Sequence, residues 1–257
     1  MKDLIWKKDG KGDESDQAVM AFLAGEDVEL DRELLLFDIR ASAAHVRGLE
    51  QINLLTAEES DSLQRGLKTI ESEVLDGQRV LDNCYEDGHS AIESWLTEML
   101  GEVGGKIHTG RSRNDQVAVA LRLYMLDRLE HLQTVCMDTA GVLLTRVEKE
   151  SDMPMAGYTH LQSAMPSSAG LWLAGHAEAF IDNAELARLT AQWLDASPLG
   201  TASGFGVNLP LPRESVAKDL GFERLVINPQ YAQNSRGKIE LQILSVLSAC
   251  TLDLRRL

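Results

Sequence analysis

The chain has 257 residues, 44% hydrophobic and 25% charged, with a formal net charge of −15. That composition describes a globular chain large enough to bury one or two cores. It argues against nucleic acid as a partner, because a strongly acidic surface repels phosphates. No apolar run approaches 18 residues, so a membrane span is not expected, and the first nine residues lack the apolar stretch of a secretory signal. Cys84, Cys136 and Cys250 are odd in number and widely spaced, which suits reduced thiols in a cytoplasmic protein better than a disulfide framework or a zinc site.

Helix signals follow one another along the chain. Asp31 is placed to cap a helix carrying Leu34, Leu35, Ile39, Ala43, Val46 and Leu49 at spacings of three and four. Thr56 and Glu59 form a capping-box pattern ahead of Leu63, Leu67, Ile70 and Val74, and Gly77 stands where that helix should end. A third helix is expected over 88–100, with Ile92, Trp95, Leu96 and Met99 on one side. Residues 114–149 contain no proline and keep a helical period from Val117 to Leu143. At 1.5 Å per residue this is a helix roughly 50 Å long, the length of an extended bundle whose helices are shared between subunits. Pro166 is expected to open a further helix reaching about Asp195. A Gly/Pro-rich loop over 197–212 and a short helix over 214–220, closed by Gly221, come next. From about Ser235 an apolar helical pattern runs to Leu257 with no capping glycine or proline, as if the chain were interrupted. No strand alternation stands out. The expected fold is all-α, with an N-terminal helical domain over 1–110 and a long-helix domain over 111–257.

Within this acidic chain one segment is locally cationic. Residues 104–116, Gly-Gly-Lys-Ile-His-Thr-Gly-Arg-Ser-Arg-Asn-Asp-Gln, set Lys106, Arg111 and Arg113 against the single carboxylate of Asp115. Guanidinium groups offer carboxylates a bidentate fork, glycines allow close backbone approach, and the start of the long helix adds its own positive end. The segment is therefore a candidate anion site. The alternative is a solvated turn capped by Asn114. A second candidate is His160 in Gly-Tyr-Thr-His-Leu-Gln, where an imidazole flanked by Thr159 and Gln162 suits proton transfer. The alternative there is a loop histidine that holds backbone groups. Ser42 interrupts a small-residue helical face, which fits either close packing or a ligand hydroxyl contact. The glycines of 197–206 follow no strand and have the wrong spacing for a phosphate or dinucleotide loop. The histidines show no metal-ligand spacing, so no metal is expected.

Several strings together resemble the argininosuccinate lyases of the fumarase/aspartase superfamily. They are Leu4-Ile5-Trp6, Asp38-Ile39-Arg40-Ala41-Ser42-Ala43-Ala44-His45, Glu86-Asp87-Gly88-His89-Ser90-Ala91-Ile92-Glu93, His108-Thr109-Gly110-Arg111-Ser112-Arg113-Asn114-Asp115-Gln116, Gly157-Tyr158-Thr159-His160-Leu161-Gln162 and Ser197-Pro198-Leu199-Gly200. The His-Thr-Gly-Arg-Ser-Arg-Asn-Asp string is specific within the superfamily, whereas Thr-His is shared more widely. The resemblance implies a carbon–nitrogen lyase of arginine biosynthesis, cytoplasmic and homotetrameric. Such an enzyme splits argininosuccinate reversibly into arginine and fumarate by anti β-elimination. It implies a long-helix bundle, a site assembled from three subunits, no cofactor, and His160 as the acid/base group. Ser42, Asn114 and Thr159 carry over as substrate contacts. Arg113 is added from its charge and placement, as a carboxylate or structural clamp. The family's Gly-Ser-Ser-x-Met-Pro signature loop does not occur in the chain, so the 257 residues alone are expected to be inactive or nearly so. Residues 228–238, Asn-Pro-Gln-Tyr-Ala-Gln-Asn-Ser-Arg-Gly-Lys, depart from the common, Asp-richer family version. A sister lyase acting on another fumarate adduct, or a non-catalytic structural protein like the lens crystallins related to this family, are the competing readings.

Overall fold

The computed structural model describes residues 26–257, and the Leu4-Ile5-Trp6 string lies outside the described residues. The chain forms helices α1 (Asp27–Gln51), α2 (Ala57–Leu75) and α3 (Gly88–Leu100), followed by a 3₁₀ turn over Gly101–Lys106. The long helix α4 (Arg113–Glu150) comes next, then a hairpin of β1 (Pro154–Thr159) and β2 (Gln162–Ser168), and α5 (Ala169–Leu194). Short helices α6 (Arg213–Asp219) and α7 (Pro229–Asn234) lead to α8 (Lys238–Leu254).

The helices begin and end where side chains can satisfy free backbone groups. Thr56 and Glu59 form the expected reciprocal box at the start of α2, and Gly77 turns the chain with φ +69° just beyond its end. Helix α3 occupies the expected residues, boxed by Asp87 and Ser90. Two starts differ from expectation. Helix α1 starts at Asp27, so Asp31 lies inside it, and the Asp31 carboxylate instead accepts the Gly88 amide at 3.0 Å. Helix α4 is capped by Ser112, whose hydroxyl accepts the Asn114 amide, so Asn114 sits in the first turn and is not the cap. At 38 residues α4 is about 57 Å long.

The hairpin was not legible as strands. β1 and β2 pair antiparallel from Pro154↔Ser168 to Thr159↔Gln162, with an irregularity between Ala156 and Tyr158. Pro166 therefore lies within β2 and does not open α5, which starts at Ala169 under a Ser168 cap whose hydroxyl accepts the Leu171 amide at 3.1 Å. The two turn residues, His160 and Leu161, both have positive φ, +50° and +61°. That sign pattern belongs to type I′ hairpin turns, which normally use Asn-Gly. Outside this hairpin the fold is helical, as expected.

Helix α1 is packed on two sides. One face packs Leu35, Ile39, Val46 and Leu49 against Leu63, Leu67 and Ile70 of α2 and Ile92 and Leu96 of α3. The opposite face packs Ala41 and Ala44 against Val119 and Leu123 of α4 and Val216 of α6. Further along, α4, α5 and α8 share a core of Cys136, Leu143, Leu173, Phe180 and Cys250. Apolar side chains also face outward on the three long helices, among them Val142, Leu171, Leu241 and Leu244. Among the described residues no helix is long and apolar enough to cross a membrane.

Candidate active site

Asp38, Ser42 and His45 follow one another at spacings of four and three on α1, so one helical face presents all three, and all three are buried. That face meets the start of α3, which supplies His89, and the segment between the 3₁₀ turn and α4, which supplies His108, Thr109 and Arg111. The Arg111 side chain is wholly buried. Its Nη1 donates to Ser42 Oγ at 3.1 Å, and its Nη2 lies 3.6 Å from Asp38 Oδ1. His89 Nδ1 faces the other oxygen of Asp38.

Charge in this cluster is set by burial and by these partners. Burial alone would raise Asp38, but His89 and then Arg111 hold its carboxyl below the ordinary value. Burial opposes charge on His89, and Asp38 outweighs it, so the His89 pKa is raised. Burial, reinforced by Arg111, pushes His45 down to about 3 and His108 down to about 4. Both are thus neutral near pH 7, and their contacts identify the tautomers. Nε2–H of His45 donates to the Thr109 carbonyl at 2.8 Å. The Gln116 amide donates to His108 Nδ1 at 2.6 Å, leaving Nε2–H to donate to the His89 carbonyl at 3.1 Å.

The start of α4 is fastened on three sides. Arg113 reaches Glu86 at 2.5 Å and Asp87 at 3.3 Å, so its fork already holds protein carboxylates and ties α4 to the start of α3. The bond from Glu86 raises its pKa, against the opposing effect of burial. The Asn114 side chain donates to Ser112 Oγ at 3.3 Å, and the Asn114 backbone carbonyl accepts Arg236 Nη2 at 3.1 Å. Asp115 is fully buried. One of its oxygens accepts the Ser112 amide at 2.9 Å, and the other accepts the amides of Gly200 and Ala202 at 2.9 and 3.0 Å.

The structure therefore brings Ser42 and Arg111 into one buried cluster and sets Arg113 and Asn114 at its edge. It does not bring Thr159 and His160 to them. Both are exposed at the tip of the hairpin, whose main packing outside itself is on the start of α5. Asp38, His89, His108, Asp115 and Gln116 were present in the quoted strings without assigned roles. Asp38 carried the clearest signal, a carboxylate one turn before Ser42. Among the described residues, no group of three or more His, Cys, Asp or Glu is arranged to hold a metal ion.

A family model described as "Lyase" matches residues 12–257. An argininosuccinate lyase of Stenotrophomonas maltophilia is 54% identical over all 257 residues, which cover 59% of that protein. An argininosuccinate lyase of Xylella fastidiosa is also 54% identical over the whole chain, which covers 57% of it. The chain thus spans less than two thirds of the length of the relatives it matches. Among solved structures, a variant of EDDS lyase with bound fumarate superposes with a TM-score of 0.74 at 26% identity, covering 88% of this chain and 45% of that one.

Proposed function

Since this chain belongs to the lyase family matched over residues 12–257, we propose that it is part of an argininosuccinate lyase, which cleaves argininosuccinate to arginine and fumarate. The observation that carries the reading is the 54% identity to such lyases along the whole chain. The His-Thr-Gly-Arg-Ser-Arg-Asn-Asp string and His160 are both present in it.

In the proposed reaction a base removes a proton from the carbon beside one substrate carboxylate, giving an aci-carboxylate dianion. The carbon–nitrogen bond then breaks, and an acid protonates the departing guanidino nitrogen. His160 is the proposed acid/base group. Ser42, Asn114 and Thr159 are the proposed substrate contacts, with Arg113 as a structural clamp that holds the start of α4 through Glu86 and Asp87. Fixed donors and cations near a developing dianion stabilise it without reorganisation, and the buried Arg111 is placed to strengthen that field. The separation of the His160 hairpin from the Ser42–Arg111 cluster supports a site completed by another copy of the chain. The outward apolar faces of α4, α5 and α8 support the same assembly, taken here as a homotetramer. A cytoplasmic role in arginine biosynthesis, the division near residue 110, and dependence on sequence found in the longer relatives belong to the same proposal.

The test is a substrate panel on the protein extended by the C-terminal continuation of its relatives, following fumarate by ultraviolet absorbance. Argininosuccinate should be turned over, with adenylosuccinate, malate, aspartate and ethylenediamine-disuccinate silent or much slower. Preference for any of these others would overturn the assignment.

A further inference from the structure

We propose that Arg236 is a positioning residue for Asn114, and that the segment 228–238 adjusts substrate binding through it. The inference rests on the reading of Asn114 as a substrate contact. The Asn228 side chain caps α7 by accepting the amides of Gln230 and Tyr231 at 2.9 and 3.3 Å. Gly237, at φ +81°, turns the chain into α8, and its amide is held by Glu240 at 2.6 Å. This turn directs Arg236 back to the start of α4, where Nη2 donates to the Asn114 carbonyl at 3.1 Å. From the same segment, Gln233 donates to the Ala202 carbonyl at 3.3 Å, and the Ala202 amide is held by Asp115. Two consecutive residues of the first turn of α4 are therefore fastened to 228–238, one directly and one through the 197–206 loop.

The charge of Arg236 has no structural explanation at this place. A cation beside a helix N-terminus runs against the helix dipole. A neutral donor would satisfy the carbonyl without that electrostatic penalty. Fixing the backbone of Asn114, whose side chain is tied to Ser112, accounts for a long donor that reaches back from this turn.

The experiment compares wild type, Arg236→Ala and Arg236→Lys in the protein extended as above. Arg236 is exposed, so melting should be unchanged. For Arg236→Ala the KM for argininosuccinate should rise by about three- to tenfold with kcat within about twofold, the signature of lost binding. Arg236→Lys should recover most of it. An unchanged KM, or losses that follow a falling melting temperature, would overturn the proposal. Amide hydrogen exchange over 114–118 gives a readout independent of turnover. Faster exchange in Arg236→Ala supports the positioning role, and unchanged exchange overturns it. A wild type that fails to cleave argininosuccinate would count against the proposed function while leaving the exchange result decisive here.

Discussion

Replacing Asp115 with alanine removes the one acceptor that holds three backbone amides, those of Ser112, Gly200 and Ala202. Hydrogen bonds to a charged group contribute about 1.5–3 kcal/mol each, and buried donors left unpaired carry a further cost. Partial rehydration at Ser112, which is only half-buried, reduces the sum, so a loss of about 3–6 kcal/mol is expected. The loss is a large part of the 5–15 kcal/mol by which a typical domain is stable. At about 2–4 °C per kcal/mol for a chain of this size, the melting temperature should fall by roughly 6–24 °C. Urea unfolding should show a lower midpoint at an unchanged slope, separating lost stability from altered compactness. Asp115→Asn keeps one oxygen and should lose less. Melting of Asp115→Ala within about 2 °C of wild type would refute the reasoning, because the buried amides of Gly200 and Ala202 would then need no acceptor.

His45 and His108 are held at about 3 and about 4 when folded, against 6.5 otherwise. Unfolding therefore takes up protons between those values, and stability should fall as pH drops from 6.5 toward 4, by about 1.4 kcal/mol per pH unit for each histidine. Replacing His108 with glutamine should roughly halve that slope in urea titrations. His89 has the opposite sign: its contribution is complete below 6.5 and is lost as pH rises through its raised folded value. Gly104→Ala should destabilise by about 2 kcal/mol or more in the same assay, since an added Cβ would lie 2.4 Å from the Leu96 carbonyl group and the Thr97 amide nitrogen. His160→Ala should lower kcat by about 10²–10⁴-fold, the usual weight of a general acid/base, with melting unchanged because the hairpin tip is exposed.

Helices whose apolar spacing and caps agree were readable from sequence. Thr56–Glu59, the α3 residues and the length of α4 all express local rules that tertiary structure did not override. The hairpin was not readable, because its strands mix Pro154, Gly157 and Pro166 with residues of no clear alternation, and its turn uses His160-Leu161 where Asn-Gly would signal one. The cationic segment was conspicuous in an acidic chain, but its partners were not. Asp38 lies 51 positions from His89 and 73 from Arg111, and Arg236 reaches back across 122. Such pairings depend on how α1, α3 and α7 come to surround the start of α4, which no local pattern encodes. The exchange of cap between Ser112 and Asn114 turned on a reciprocal bond from Asp115, visible only once the backbone is placed.

Fumarate release from argininosuccinate by the extended protein, with single variants and their mixture, tests the central claim most directly. Wild type should release fumarate, while Asn114→Ala and His160→Ala alone should be nearly silent. Dissociating the two variants and reassociating them together should restore part of the activity, because some sites would then combine an intact Asn114 with an intact His160 from another copy. A silent wild type, a fully active His160→Ala, or mixed assemblies with no recovered activity would contradict the account.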